Sequence, residues 1–204
     1  MKISKRYRQF KQDHQGAALL EFAIAAPVLF LILFAAIELA NFVYMDQKLK
    51  NATYNVLNIV NDQLNLNEAQ LPTIARIVPQ VVKPYTLSNS QYKVVITAVR
   101  KDVLGAADPY IEWQWPRNGV TTSRFIWDED GSKEDNAVSP EMLNDYVFTD
   151  GDQLLTVEVN IVYRPIFDTL ATRSLLGLNN QWLSFFATSR PRPGAYDLSP
   201  YGNL

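Results

Sequence analysis

The chain has no cysteine among its 204 residues, which excludes zinc-thiolate sites, disulfides and thiol catalysis. That absence does not fix a compartment, since proteins without disulfides also occur where the environment is oxidising. Histidine is nearly as scarce. Its one copy, His14, lies in the basic N-terminal stretch, so neither a Ser-His-Asp arrangement nor an imidazole metal site can be assembled from the residues after it. The eight glycines form neither a phosphate-cradling loop nor a dinucleotide fingerprint. Composition leaves paired carboxylates as a catalytic arrangement, and nothing in their spacing favours a glycosidase. No catalytic residue, cofactor or metal ligand is therefore assigned.

Positive charge is missing from most of the chain. Lys2, Lys5, Arg6, Arg8 and Lys11 against Asp13 give the first sixteen residues a surplus of four positive charges; with a net charge of -2, the remainder carries a surplus of six negative ones. An acidic body argues against nucleic acid as a partner, because phosphate binding needs a positive field. A length of 204 residues, 48% of them hydrophobic, suits one ordinary core plus a membrane element rather than two domains.

What is present in force is an apolar run. Sixteen uncharged residues separate Glu21 from Glu38, and the run widens to Ala17–Ala40 if both glutamates are tolerated at its ends. About 20 apolar residues cross a hydrocarbon core. The basic residues before the run predict a cytoplasmic N-terminus and an outside C-terminal part, with membrane lipid as one partner. Pro27 removes one backbone hydrogen bond within the span and is expected to kink it. A cleavable secretory signal would share the basic start, but its apolar region is shorter, roughly 7 to 15 residues, and ends in a cleavage site. Here the run passes into an amphipathic pattern: Leu39, Phe42, Met45, Leu49, Ala52, Val56 and Ile59 recur at spacings of 3 and 4, with polar residues between them. One helix from Ala17 to about Leu64 would be roughly 70 Å long.

The segment Gly16-Ala17-Ala18-Leu19-Leu20-Glu21-Phe22-Ala23-Ile24-Ala25-Ala26-Pro27 resembles the TadE-like (TadE/TadG-like) pseudopilins of the tight-adherence (Flp) pilus system. The likeness continues through Ile37-Glu38-Leu39. It returns more loosely in Ile111–Trp115, in Asp152–Tyr163 followed by Arg164-Pro165-Ile166-Phe167, and in Ser189–Pro193. The resemblance implies cutting by a prepilin peptidase between Gly16 and Ala17, so that Glu21 becomes the fifth mature residue. It also implies partners among other pilin and pseudopilin subunits and the pilus assembly platform. Ala17 stands where many type IV pilins have phenylalanine, which disfavours the type II secretion and ordinary type IV readings.

A lone ionised carboxylate in hydrocarbon costs on the order of 2.5 to 3.5 kcal/mol even on lenient scales. Cleavage after Gly16 would create an α-amino cation on Ala17, four residues from Glu21 or beside it on a neighbouring subunit, and the helix N-terminus adds favourable partial charge. The resemblance implies that Glu21 aligns subunits through such a pair. The alternative is a Glu21 at the headgroup boundary, snorkelling to water. Glu38, about 25 Å further along the axis, is expected at the outer boundary and solvated.

The expected fold class is α+β: a long N-terminal helix, transmembrane then amphipathic, packed on a small antiparallel β-sheet domain. The expected order is a cytoplasmic leader 1–16, a transmembrane helix 17–40, an amphipathic extension 41–66, a periplasmic domain 67–190 and an extended tail 191–204. Within that domain an irregular helical pattern from Asn67 is interrupted by Pro72 and Pro79. Runs rich in β-branched and aromatic residues predict strands at Tyr92–Val99, Tyr110–Trp115, Leu154–Tyr163 and Trp182–Thr188. The insertion 116–151 carries Asp128, Glu129, Asp130, Glu134 and Asp135; EF-hand spacing fails because Lys133 stands where the loop glycine belongs, so a solvated acidic loop is expected. Trp113 and Trp115 share one strand face and are expected in the core or at a partner interface rather than on a carbohydrate platform. The functional expectation is a structural, non-enzymatic minor pseudopilin, in the inner membrane and at the pilus or cell surface after assembly. The rivals are an uncleaved signal-anchored binding or adhesion domain and a secreted hydrolase.

Overall fold

The computed structural model describes residues 14–63, 68–102, 108–116, 123–125, 135–143, 146–167, 177 and 180–191. The fold is α+β: one long N-terminal helix followed by a four-stranded antiparallel sheet. By contacts it divides into two units, Met1–Val43 with Arg164–Asn180, and Tyr44–Tyr163 with Gln181–Leu204.

The first unit is built on α1, which spans His14–Asn61 and continues into the second. No glycine follows Gly16 within it, and alanine and leucine dominate its first half, a composition that favours helix. The helix runs unbroken through Pro27. It is the one described helix long and apolar enough to cross a membrane, and none of its most apolar window is buried inside the protein. A core helix of a soluble protein would be covered. Leu19, Phe22, Ile24, Val28, Phe30 and Ile32 are all more than half exposed, so α1 is a membrane anchor.

In the second unit α1 changes character. Met45, Leu49, Ala52, Val56, Leu57 and Val60 are buried, a stripe at spacings of 4, 3, 4, 1 and 3 that a helix brings to one side. Thr53, buried in the same stripe, donates its hydroxyl to the Leu49 carbonyl at 3.0 Å. The Tyr54 ring meets Phe185 edge-on at 5.8 Å, which identifies the sheet face beneath. Two short helices follow, α2 at Leu71–Ala75 and α3 at Val78–Val81, each with a proline in its first turn. The prolines thus start two helices instead of bending one.

The strands are β1 Tyr92–Arg100, β2 Tyr110–Trp115, β3 Gln153–Tyr163 and β4 Gln181–Ser189. Their order is β2-β1-β3-β4 and every pair is antiparallel. Register aligns Ile96 with Trp115 and Val157, and Val159 with Phe185, so these residues share the face toward α1. Gly151 adopts a left-handed φ of 83° in the turn before β3, where its N–H reaches the Lys101 carbonyl at 3.0 Å.

The opposite face is also covered. Val99, Ile111 and Leu154 pack with Phe125, Val138, Leu143 and Phe148, all four from the 116–151 insertion. These residues of the insertion form a second small core that the sequence did not suggest, while Asp135, the described member of the acidic loop, is exposed. Two-sided cover explains why β1 is buried continuously from Val94 to Val99 instead of alternating. Asp128–Glu134 lie outside the described residues, as does the tail after Pro191.

Candidate functional site

Gly16, Ala17 and Glu21 lie in the first turns of α1 and are exposed. Ala17 and Glu21 are four residues apart and so share one helix face. A Cβ added at Gly16 would meet nothing within 4 Å, and its φ is not left-handed. Folding therefore gives no reason for glycine here, where it costs about 1 kcal/mol relative to alanine. Among the described residues Glu21 is similarly unexplained: its helical neighbours at spacings of three and four are Ala17, Ala18, Ile24 and Ala25, none of them charged.

Glu38 differs from its expected state. Far from being solvated, it is 0% exposed, and its carboxylate accepts the backbone N–H of Ile166 at 3.2 Å and that of Phe167 at 2.9 Å. One ring along the same helix, Phe34, lies 4.9 Å from Phe167. The physical reason is the one already applied to Glu21: a carboxylate among apolar side chains needs donors, and here the chain after β3 supplies them. That partnership joins residues too far apart in sequence to be read from spacing, but the missing cation at positions three and four away was a visible signal.

Trp113 and Trp115 lie on the α1 side of the sheet, opposite Ala98 and Ile96. Trp113 is 1% exposed and fills the core; Trp115 is half-buried and has surface to offer. Trp115 lines a cleft of about 450 Å³ with Arg76, Tyr92, Lys93 and Pro116, whose charged residues are both basic. On the other sheet face sits a buried polar row that sequence reasoning missed. Gln114 donates to the Thr97 hydroxyl and the Phe125 carbonyl, both at 2.9 Å. Both Glu158 oxygens accept the Arg124 backbone N–H at 3.0 Å. Burial pushes the Glu158 carboxyl up, against the pull of hydrogen bonds from Ser123 and Arg124. These contacts fasten the insertion to the sheet. Among the described residues no group of three acidic or histidine side chains converges as a metal site would require.

Compared with known families, residues 16–56 match the TadE-like protein family. The matched stretch runs from Gly16 to Val56, covering the span and most of the buried stripe of α1. No curated protein and no solved structure matches the chain.

Proposed function

We propose that the chain is a structural, non-catalytic subunit of a tight-adherence pilus, a minor pseudopilin cut after Gly16, with Glu21 aligning it against a neighbouring subunit. The observation that carries this reading is the pair Gly16 and Glu21. Both lie within the residues matching the TadE-like family, both are exposed, and neither is accounted for by folding. A glycine with open space around it suits a peptidase that must approach the backbone. A carboxylate with no charged helical neighbour suits a partner from outside the chain, the new α-amino group of Ala17 on an adjacent subunit. In low dielectric that attraction is strong and competing solvation weak.

The same reading gives the basic leader 1–16 a cytoplasmic side, α1 a single crossing of the inner membrane, and the sheet a periplasmic one. The partners are the prepilin peptidase, other pilin subunits and the assembly platform. One observation favours a second reading, an uncleaved signal-anchored binding domain: the basic cleft beside Trp115. N-terminal sequencing of protein taken from membranes separates the readings. A start at Ala17 is expected; a start at Met1 would favour the anchor, and one beyond about residue 35 a secreted protein.

A further inference from the structure

Glu38 stands one residue beyond the uncharged run that begins after Glu21. Counted from Ala17, it lies about 31 Å along α1, at the outer boundary of a hydrocarbon core about 30 Å thick. Phe34 is one turn inside that boundary. The turn after β3 meets the helix at this level, with the Phe167 ring 4.9 Å from Phe34 and the Ile166 and Phe167 N–H groups on Glu38.

Three features of this turn fit a lipid environment better than water. First, the backbone donors of its last three residues are spent: Pro165 has none, and those of Ile166 and Phe167 are bonded to Glu38. A segment entering an apolar layer must satisfy its donors within the protein. Second, its apolar side chains remain uncovered where they would touch lipid. Ile166 is 59% exposed, and on α1 around Phe34, itself 40% exposed, Leu33 is at 51% and Ile37 at 41%. Third, Arg164 is exposed at the start of the turn, where a long cationic side chain can reach back to phosphate oxygens while its stem lies along apolar surface.

We propose that Arg164–Phe167 is a second membrane-binding element, tied by Glu38 to the outer end of the span, which inserts Ile166 into the outer leaflet and leaves Arg164 among the lipid phosphates. The proposal rests on α1 crossing the bilayer, and the test reads that premise separately.

The absence of cysteine makes single-site spin labelling of the full chain straightforward. Ile166→Cys, Phe30→Cys and Tyr54→Cys variants would be labelled, reconstituted into vesicles of phosphatidylethanolamine and phosphatidylglycerol, and compared for relaxation by oxygen, which partitions into lipid, and by a water-soluble nickel chelate. The Phe30 site should favour oxygen and the Tyr54 site the chelate. At Ile166 oxygen should dominate, as at Phe30. Adding Glu38→Ala to Ile166→Cys should raise chelate access severalfold as the tether is lost. A lipid-like Phe30 with a water-like Ile166 overturns the inserted turn. Low access to both reagents at Ile166 assigns the turn to a protein interface and also overturns it. An Ile166 site that stays in lipid without Glu38 overturns the tether. A water-like Phe30 removes the spanning helix and the proposal together.

Discussion

Glu38 accepts the Phe167 backbone N–H at 2.9 Å across 129 residues of sequence. A hydrogen bond to a charged group contributes about 1.5 to 3 kcal/mol, so its loss should be visible locally even if the fold survives. In Glu38→Leu, amide exchange at Ile166 and Phe167 should accelerate about tenfold to a hundredfold. Hydrogen-exchange mass spectrometry on the full chain in detergent measures this, and unchanged rates at both amides would show that the carboxylate does not hold the turn.

The buried stripe of α1 predicts a stability effect. Leu49 and Val56 are 0% exposed, so Leu49→Asp or Val56→Asp forces an unpaired carboxylate into the core and should destabilise the second unit by several kcal/mol. Thermal unfolding followed by near-ultraviolet circular dichroism tests it. Tyr54→Asp, at a position 49% exposed, should cost much less. Equal melting of all three would mean that the stripe does not face the core.

Glu158 predicts a pH dependence with a definite sign. Burial raises its pKa in the fold, and an acid raised in this way contributes stability that is complete below its unfolded pKa and lost as pH rises through the folded value. Glu158→Gln stays uncharged and lacks that loss. The stability of the variant relative to the original should therefore increase from about pH 4 to about pH 7. Asp152 has the opposite tendency, its pKa being lowered in the fold, where burial is outweighed by hydrogen bonds from Thr149 and by Arg190. It is common to both proteins and cancels. Urea midpoints across that range give the difference, and a difference independent of pH would contradict the assignment.

The elements with a strong local period were legible before the fold was known. The strands predicted at Tyr92–Val99, Tyr110–Trp115, Leu154–Tyr163 and Trp182–Thr188 each match an observed strand within one residue at either end, because β-branched and aromatic runs bounded by turn residues carry the pattern locally. The helical stripe was legible at Met45, Leu49, Ala52 and Val56 through its period, but Leu39 is 52% exposed and Ile59 only half-buried, with Leu57 and Val60 buried in its place. The small core within the insertion was missed because Phe125, Val138, Leu143 and Phe148 have no regular spacing; they act together only once the sheet gathers them. The continuous apolar run in β1 did hint at two covered faces. Glu38 was misread because its partners are main-chain groups, which every residue except proline possesses and no sequence pattern marks. Gly16 and Glu21 were singled out through resemblance, and Glu21 also through the cost of a carboxylate in an apolar run; their proposed roles await the tests below.

The proposed processing makes Gly16 the residue to change. A bulky residue at that position, such as Gly16→Leu, meets open space in the fold and should leave insertion and the sheet intact while blocking the proposed cut. Immunoblotting of membranes should then show the longer, leader-bearing chain accumulating. A Gly16→Leu protein that still ran at the size of the processed one would place the cut elsewhere.

The most direct test is Glu21→Gln, compared with the original protein at equal membrane abundance. The substitution removes a charge that the bilayer disfavours, so insertion should persist, and the proposed cleavage after Gly16 should continue. Surface pili and co-purification with other pilin subunits are the readouts. Their loss with normal processing is the result predicted for a carboxylate that aligns subunits; normal assembly in Glu21→Gln would contradict it and return Glu21 to the headgroup boundary.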